Sequence, residues 1–356
     1  MLTGYSNITS LNQVSFRVLH SFDEAEPLRN AWDDLVLGSG GDLYQTYDWC
    51  RLWWHYYGKH RKLHLLLLYS DGKLTGIFPG FTESLWLGPA HLRVAKLVGS
   101  DFSLQLCNLP AYPETVLPLV SKALRYFLGE QRCDVLLVGP ISGESSDAAT
   151  LLALEQEHRD IIGKAEQLGN SCNTYFRLPG TFAEYLSTIG KQQRGNLNRT
   201  ITQFSKEHRV SFDVVAEPGR VREEFDRFHE MHGAQWSAQG KLGHFRDWPN
   251  ATEFNRDLVH CFESRGAVRF YRILAGQEVV SSQFTFSFNK TVYWRLPARA
   301  SASSWDRLSL GRMGLAKMIE AAIGEGCRFI EGGRGHYDYK LQMGGREWPL
   351  RILQFT

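Results

Sequence analysis

Paired cysteines, long apolar runs and an excess of one charge are all missing from this sequence of 356 residues. Its six cysteines are scattered without a Cys-x-x-Cys pair, which predicts reduced thiols in the cytoplasm and neither a zinc site nor a disulfide framework. The longest apolar stretch, around residues 65–68, is far shorter than the roughly 20 residues that a transmembrane helix needs. Forty basic against 38 acidic residues leave a net charge of +2, so no general attraction to DNA is expected.

Several catalytic signatures are absent as well. The sequence has no Gly-x-Ser-x-Gly elbow, Walker loop or His-Glu-x-x-His pair, so a serine hydrolase, a P-loop protein and a zinc protease are not expected. No charged leader precedes an apolar segment at the start, and a signal peptide is therefore not expected. What the chain does contain is 43% hydrophobic residues and 10 tryptophans, enough for two domains with a core each.

The C-terminal half predicts three strands, a helix and a further strand. The segments VRFYRILA and EVVSSQFTFSF form a hairpin around a glycine, and a tight Asn-Lys turn leads into TVYWRLPA. Apolar residues then recur on one helical face between residues 315 and 323, and two glycines end that helix. The strand CRFIEGG follows.

The N-terminal half repeats this order of elements. LHLLLLYS and KLTGIFPGF form a hairpin around an Asp-Gly turn, and Leu92–Val98 and Leu104–Cys107 can supply further strands. Residues 116–128 carry a helical apolar face, and CDVLLVG is a strand. We interpret the repeat as an internal duplication, with one sheet in each half and a boundary near residue 170. Chance alternation of strands and helices in an α/β chain is the alternative.

A helical segment over residues 181–240 separates the two halves. Thr181 and Glu184 form a capping box for a basic helix that is predicted to run to about Glu207. A second helix places His232 and Trp236 on one stripe with three apolar residues. His232 is therefore either a hydrogen-bonded core residue or a residue of a catalytic centre.

Four stretches in the same order carry a resemblance to a known family. They are YDWCRLWW from Tyr47, LPG from Leu178 followed by the basic helix, Met231-His232-x-x-x-Trp236, and Asp306-x-x-Ser309-x-Gly311 followed by Arg334-Gly335-x-x-x-Tyr339-Lys340-x-x-x-Gly344. On these residues the chain resembles the CelD-type acetyltransferases of the GNAT superfamily, which are named for cellulose-synthesis loci and related in fold to the FemAB aminoacyltransferases.

The resemblance implies an α/β (α+β) fold of tandem GNAT-like domains, with mixed, mainly antiparallel sheets flanked by helices. Residues 1–170 would form a degenerate domain on the acceptor side. Residues 171–356 would hold the 181–240 insertion and the acyl-donor site. Two departures leave the donor open: Leu310 stands where the family often has proline, and the usual GNAT motif Gln/Arg-x-x-Gly-x-Gly/Ala is not met.

Transfer of an acyl group from a thioester to an amine needs a phosphate site, donors for an oxyanion and a proton acceptor. A helix start with glycines offers free N–H groups and a favourable dipole to a pyrophosphate. The site predicted for acyl-CoA (acetyl-CoA) comprises Ser309, Gly311, Arg312, Gly314 and Arg307. A plain helix start with packing glycines is the alternative. The matching N-terminal stretch lacks glycine, so only the C-terminal half is expected to bind the donor, and no metal is expected.

The loop after the last predicted strand concentrates polar residues where open α/β sheets bind ligands. Lys340 and Arg334 would hold a phosphate or carboxylate, and Tyr339 would protonate the leaving thiolate. The proton acceptor for the amine stays open among His336, Asp338 and Glu331. A solvated loop with one salt bridge is the alternative.

Three further residues are candidate substrate contacts, each with an alternative. Gln283 is either a contact in the central hairpin or an ordinary strand residue, and Trp236 is either a contact or part of the core. Arg194 belongs to the basic helix, which is either a solvated face or a site for a polyanionic or lipid-phosphate substrate.

The predicted function is N-acyl transfer from acyl-CoA to an amine of a sugar, polysaccharide or envelope precursor. The expected partners are a small-molecule donor and acceptor, with an association with the polysaccharide-synthesis machinery, in the cytoplasm. One alternative is a FemAB-like aminoacyltransferase that uses aminoacyl-tRNA. Another is a GNAT pair without activity that binds ligands in exopolysaccharide assembly.

Overall fold

The computed structural model describes residues 14–102, 106–142, 165–302, 305 and 308–356. In this part of the chain, 12 strands form one sheet in the order β1-β2-β3-β4-β5-β12-β6-β11-β10-β9-β8-β7. Their bounds are β1 (Val14–Leu19), β2 (Lys62–Ser70), β3 (Lys73–Leu87), β4 (Ala90–Leu97), β5 (Val135–Ser142), β6 (Ala165–Arg177), β7 (Val210–Val215), β8 (Val268–Ala275), β9 (Glu278–Phe288), β10 (Thr291–Arg299), β11 (Phe329–Arg334) and β12 (Arg346–Phe355).

Helices flank the sheet. The α-helices are α1 (Phe22–Ala25), α2 (Arg29–Gly38), α3 (Tyr47–Tyr57), α4 (Pro113–Leu124), α5 (Phe182–Thr188), α6 (Lys191–Glu207), α7 (Arg220–Ser237), α8 (Ala251–Glu263), α9 (Leu310–Gly324) and α10 (Asp338–Gln342). Tighter or wider turns cover Glu26–Leu28, Leu43–Gln45, Arg125–Glu130 and His244–Arg246. None of the described helices has the length and apolar character that crossing a bilayer requires.

The predicted mixed α/β fold with a mainly antiparallel sheet is confirmed, and the apolar strands show why it forms. Alternate side chains of β2 enter different cores: Leu65 and Leu67 pack into one cluster, and Leu66 and Leu68 pack into another. A strand whose side chains are buried on both faces is expected to be apolar throughout, and the LHLLLLY stretch is such a strand.

The two halves of the sheet have the same strand order. In each half four strands are antiparallel neighbours, a helix follows, and the next strand lies parallel to the fourth. The helix is α4 between β4 and β5 in the N-terminal half, and α9 between β10 and β11 in the C-terminal half. The predicted order of three strands, a helix and a strand is therefore present in both halves, and each half has one more strand, β1 or β7, before it.

The next strand of each half is exchanged between the halves. β6 follows β5 in the chain but pairs with β11, whereas β12 follows β11 but pairs with β5. β6 and β12 also pair with each other along most of their length. The sheet is thus continuous, which corrects the expectation of one sheet in each half, while the boundary near residue 170 stays a prediction.

The segment between the halves differs from the prediction in two respects. The capping box at Thr181 and Glu184 is present, but the first helix ends at Thr188 and a new helix begins after Gly190. The extended backbone of Gly190 (φ −56°, ψ 145°) interrupts the helix there. In addition, β7 lies inside this segment, because its residues pair antiparallel with β8 and extend the sheet.

The tryptophan-rich helix α3 joins the halves. Trp49 is fully buried and packs against Phe254 and Phe286 of the C-terminal half, with ring centroids 6.2 and 5.4 Å away. Asp48, which is 1% exposed, is paired with Arg29 and with Arg265. The largest core cluster among the described residues accordingly contains residues of both halves.

Candidate active site

The site opens where β10 and β11 diverge. The two strands pair in parallel only from Thr291 and Phe329 to Tyr293 and Glu331, although both continue beyond this point. On its other side β10 shifts register against β9 between Trp294 and Leu296. An irregularity of this kind turns a strand away from its neighbour and often lies beside a functional site.

Two cavities meet at this opening. The first, which we call the aromatic cavity, has a volume of about 410 Å³ and is lined by residues that include Tyr44, Trp236, His244, Arg334 and Lys340. The second, the helix-start cavity, has about 350 Å³ and is lined by residues that include Gln283, Ser309, Gly311 and Arg312. Trp294, Pro297 and Tyr339 line both cavities, so the two spaces adjoin.

Glu331 anchors the floor of the aromatic cavity and is only 2% exposed. One carboxylate oxygen accepts hydrogen bonds from Asn173 Nδ2 at 2.6 Å and from the Gly333 amide at 2.9 Å. The other accepts one from the Tyr44 hydroxyl at 2.7 Å. Burial raises the pKa of Tyr44, so this hydroxyl keeps its proton and remains a donor. The lone pairs of Glu331 are thus largely occupied.

Lys340 lies on α10 and reaches back to the end of β11. Its ammonium is buried and donates to the Gly332 carbonyl at 2.5 Å. Burial lowers the pKa of Lys340 to about 8, with an opposing contribution from Glu331. The ammonium also lies 4.4 Å from the centre of the Tyr337 ring and 5.4 Å from that of Trp294. Lys340 therefore presents a charged donor at physiological pH inside the aromatic cavity.

Tyr339 separates the two cavities and lines both. Burial raises its pKa, so the phenol stays protonated. Its hydroxyl makes no hydrogen bond to any described residue. It lines both cavities and is therefore available to a ligand. The structure thus brings Tyr339 and Lys340 together with Glu331 and Arg334, as the sequence predicts for a common site. Arg334 lines the aromatic cavity and donates through Nε to Ser171 at 2.6 Å.

His336 and Asp338 lie outside the aromatic cavity. The His336 side chain is 63% exposed and contacts Glu347 at 2.7 Å and Asp338 at 3.2 Å. Hydrogen bonding to Glu347 and then to Asp338 raises the pKa of His336, because both carboxylates favour the charged ring. Neither side chain lines a cavity with Tyr339, and their catalytic roles stay predictions without support from this arrangement.

His232 is 1% exposed, and both of its ring nitrogens have partners. Nδ1 lies 3.0 Å from the Pro297 carbonyl, and Nε2 accepts the amide hydrogen of His244 at 3.3 Å. Burial lowers the pKa of His232 to about 4, so the ring is neutral at pH 7. This geometry favours the core alternative for His232, in which it holds two walls of the cavity in place.

The start of α9 forms one wall of the helix-start cavity. Ser309 has a left-handed backbone (φ 45°), and its side chain makes no capping bond, so the first amides of α9 lack a side-chain acceptor. A Cβ at Gly311 would meet nothing within 4 Å, which shows that this wall is open. Arg312 donates to Gln193 at 3.1 Å and to Gln342 at 2.6 Å, and thereby ties α6 and α10 to this helix start.

Gln283 faces the helix-start cavity from β9. Its Nε2 donates to Ser281 at 3.0 Å, while its Oε1 is buried without a partner among the described residues. A Cβ at Gly314 would lie 2.5 Å from the Gln283 amide, so Gly314 is required for packing and does not line this cavity.

Arg307, a predicted cofactor contact, lies outside the described residues. Arg194 donates to the Leu186 carbonyl at 3.0 Å and lines neither cavity.

Several lining residues carry no signal in the sequence. His244, Asp247 and Trp248 belong to a polar stretch between α7 and α8, and Tyr44 lies 287 residues before Glu331, the residue of β11 that it contacts. Arg295, on the diverging part of β10, donates to Asn255 at 3.0 Å, and burial lowers its pKa. Within the described residues, no three His, Cys, Asp or Glu side chains are grouped as metal ligands would be.

Comparison with known proteins gives the class. Residues 191–341 match the family model of the acetyltransferase (GNAT) domain, a match that covers less than half of the chain and supports an acyltransferase. The match includes the start of α9, Tyr339 and Lys340. No curated protein sequence matches the chain. The finer resemblance to CelD-type enzymes stays a prediction.

Solved structures show the same fold over nearly the whole chain. FemX has a TM-score of 0.63 and 11% identity, covering 95% of this chain and 96% of that one. A conserved protein of unknown function from Bacteroides thetaiotaomicron has a TM-score of 0.53 and 10% identity, and the match covers 97% of this chain and 100% of that one. L-PGS from Bacillus licheniformis has a TM-score of 0.52 and 11% identity, and the match covers 92% of this chain and 91% of that one. At such low identity the likeness concerns the fold alone.

Proposed function

We propose that the chain transfers an acyl group from a CoA thioester to an amine, with the donor in the helix-start cavity and the acceptor in the aromatic cavity. The observation that carries this proposal is that the two cavities share Trp294, Pro297 and Tyr339. A thioester carbon at this junction is within reach of a nucleophile from the other side, and such positioning supplies much of the rate in acyl transfer.

The helix-start cavity suits the CoA end of the donor. The first amides of α9 and the helix dipole favour a pyrophosphate, and the open side of Gly311 lets it approach. The unpartnered Oε1 of Gln283 would accept an amide hydrogen of the pantetheine arm. A third, polar cavity of about 300 Å³ continues from Ser309 and Arg312 along α6 and would receive the nucleotide.

The aromatic cavity suits a hydroxyl-rich amine. The indole N–H groups of Trp236 and Trp294 are buried without partners among the described residues, and both residues line this cavity. A buried donor without an acceptor is costly, so a ligand that brings oxygen atoms would be stabilised there. Arg334 and Lys340 add positive charge. An amino sugar, free or carrying a phosphate as an envelope precursor does, meets these demands.

Tyr339 at the junction and Lys340 in the aromatic cavity would act on the reacting atoms. The Tyr339 hydroxyl, which burial keeps protonated, would donate to the leaving sulfur. The Lys340 ammonium would stabilise negative charge on the thioester oxygen, since hydrogen bonds from a charged donor are strong.

A second candidate function is supported by the polar cavity along α6. Arg199 and Arg312 line it together with amide side chains, and a polyanion larger than CoA would find the same contacts. An aminoacyl-tRNA is such a polyanion, so the second candidate is an aminoacyltransferase that takes its donor from aminoacyl-tRNA. A binding module without activity would use the aromatic cavity alone.

Donor and acceptor assays separate these functions. The protein is incubated with acetyl-CoA and D-glucosamine, and released thiol and N-acetylated sugar are measured. In parallel, transfer from radiolabelled aminoacyl-tRNA to the same amine is followed. We expect thiol release and acetylated sugar in equal amounts. Transfer from tRNA without CoA turnover would favour the second candidate. Carbohydrate binding without transfer from either donor would favour the binding module.

A further inference from the structure

We propose that His244, oriented by Asp247, is the base that takes the proton of the acceptor amine. This inference rests on the proposed function. The two side chains line the aromatic cavity, and His244 Nδ1 lies 2.7 Å from Asp247 Oδ2. A carboxylate behind an imidazole fixes both the orientation of the ring and the nitrogen that carries its proton.

The backbone holds His244 at a fixed distance from the junction of the cavities. Its amide donates to His232 Nε2, and His232 Nδ1 in turn donates to the carbonyl of Pro297, which lines both cavities. One buried imidazole thus connects His244 to the junction. Gly243 precedes it with φ 78°, and a Cβ there would meet Trp236 at 3.1 Å, so this turn requires glycine.

The free nitrogen of His244 is the one that a substrate can reach. With Nδ1–H donated to Asp247, the lone pair of the neutral ring is on Nε2. Nε2 makes no hydrogen bond to the described residues, and the ring packs against Trp236 with centroids 4.9 Å apart. The titratable and charged groups around it are Asp247, His232 of α7 and, across the Trp236 ring, Lys241.

Other groups around the aromatic cavity are less suited to this step. Both Glu331 oxygens already accept hydrogen bonds, and the Lys340 ammonium donates to a carbonyl. His336 lies outside the cavity between two carboxylates. Among the described lining residues, His244 combines a free lone pair with a carboxylate that orients its ring.

The proposed step moves one proton from the amine to His244 and one from Tyr339 to the leaving sulfur. The amine nitrogen attacks the thioester carbon, the C–N bond forms, and His244 Nε2 takes the proton that the nitrogen loses. The C–S bond breaks, and the thiolate takes a proton from the Tyr339 hydroxyl. His244 then releases its proton to solvent, and Tyr339 regains one. The products are an amide and free CoA thiol.

Three variants test the role of His244 with acetyl-CoA and D-glucosamine as probes. His244→Ala removes the ring but keeps the amide that bonds to His232. Asp247→Asn removes the carboxylate, and His260→Ala is the matched control, since His260 is a 62% exposed histidine 3.8 Å from Glu263 on α8. We expect His244→Ala to lose on the order of 10²–10⁴ in turnover, as loss of a general base does. Asp247→Asn should lose less, and CoA affinity should be unchanged in all three.

Rescue by added imidazole separates a base from a structural residue. We expect millimolar imidazole to restore part of the turnover of His244→Ala and to leave the control unaffected. An inactive His244→Ala that imidazole does not rescue, or one as active as the wild type, overturns the assignment while the proposed function stands. A wild-type protein that neither binds CoA nor releases thiol overturns the proposed function, and the base with it.

Discussion

The hydroxyl of Tyr44 donates a 2.7 Å hydrogen bond to the carboxylate of Glu331, across 287 residues of sequence. Tyr44 precedes α3 in the N-terminal half, and Glu331 is in the last parallel pair of β10 and β11. The Tyr44 ring also packs on Tyr293 at 5.2 Å. The N-terminal half therefore supplies part of the support for the site in the C-terminal half.

Tyr44→Phe should destabilise the fold by about 1–3 kcal/mol, because it leaves a buried carboxylate oxygen without its donor. The free energy of unfolding in urea measures this loss. Tyr69→Phe is the control, since its hydroxyl makes no hydrogen bond to the described residues. Equal unfolding midpoints for the two variants would show that the bond to Glu331 contributes nothing.

Tyr339→Phe and Lys340→Met should stay folded and lose acetyl transfer, whereas His232→Ala should melt at a lower temperature. Tyr339 and Lys340 line the cavity, and methionine keeps the volume of the buried lysine stem. His232 instead holds two backbone groups inside the core. Melting temperature and thiol release from acetyl-CoA are measured for each variant. Full activity of both Tyr339→Phe and Lys340→Met would exclude the catalytic roles proposed for these two residues.

Stability should fall as the pH is lowered from about 6.5 to about 4. His64 and His232 are buried, and burial lowers the pKa of each to about 4. In this window the unfolded chain binds protons that the folded chain does not, so each histidine lowers the free energy of unfolding by at most about 1.4 kcal/mol per pH unit.

His64→Gln should reduce this pH dependence, while the exposed His260→Gln should leave it unchanged. Urea unfolding at pH 7, 6 and 5 gives the slope for each variant. The same slope in His64→Gln and in the wild type would mean that His64 is protonated in the folded protein at its ordinary pKa.

Local sequence patterns predict most strands of the sheet but not how the two halves of the sheet are joined. The hairpin of β8 and β9 follows from alternating and aromatic residues, and the buried face of α9 follows from its spacing. The exchange of β6 and β12 depends on contacts between distant parts of the chain. No short stretch of sequence contains that information.

The residues of the site, too, could be predicted from the sequence only where a local motif carries them. Tyr339, Lys340 and Gly311 could be predicted because a motif carries them, and all three line the cavities. His244 and Asp247 lie in a loop without periodicity, and only folding brings them beside Trp236. Gly314 resembles a ligand-binding glycine in the sequence, yet its neighbour Gln283 gives it a packing role.

Titration of the wild type and of Gly311→Val with CoA tests whether the donor binds at the start of α9. A Cβ at Gly311 meets no protein atom, so valine should fill the donor's space without disturbing the fold. Gly129→Val is the matched control, because Gly129 is equally open but lies in the N-terminal half. We expect Kd for CoA to rise about tenfold or more in Gly311→Val, a loss of about 1.4 kcal/mol in binding free energy, and to stay unchanged in the control. An unchanged Kd in a folded Gly311→Val, or a weakened one only in Gly129→Val, would contradict binding at the start of α9.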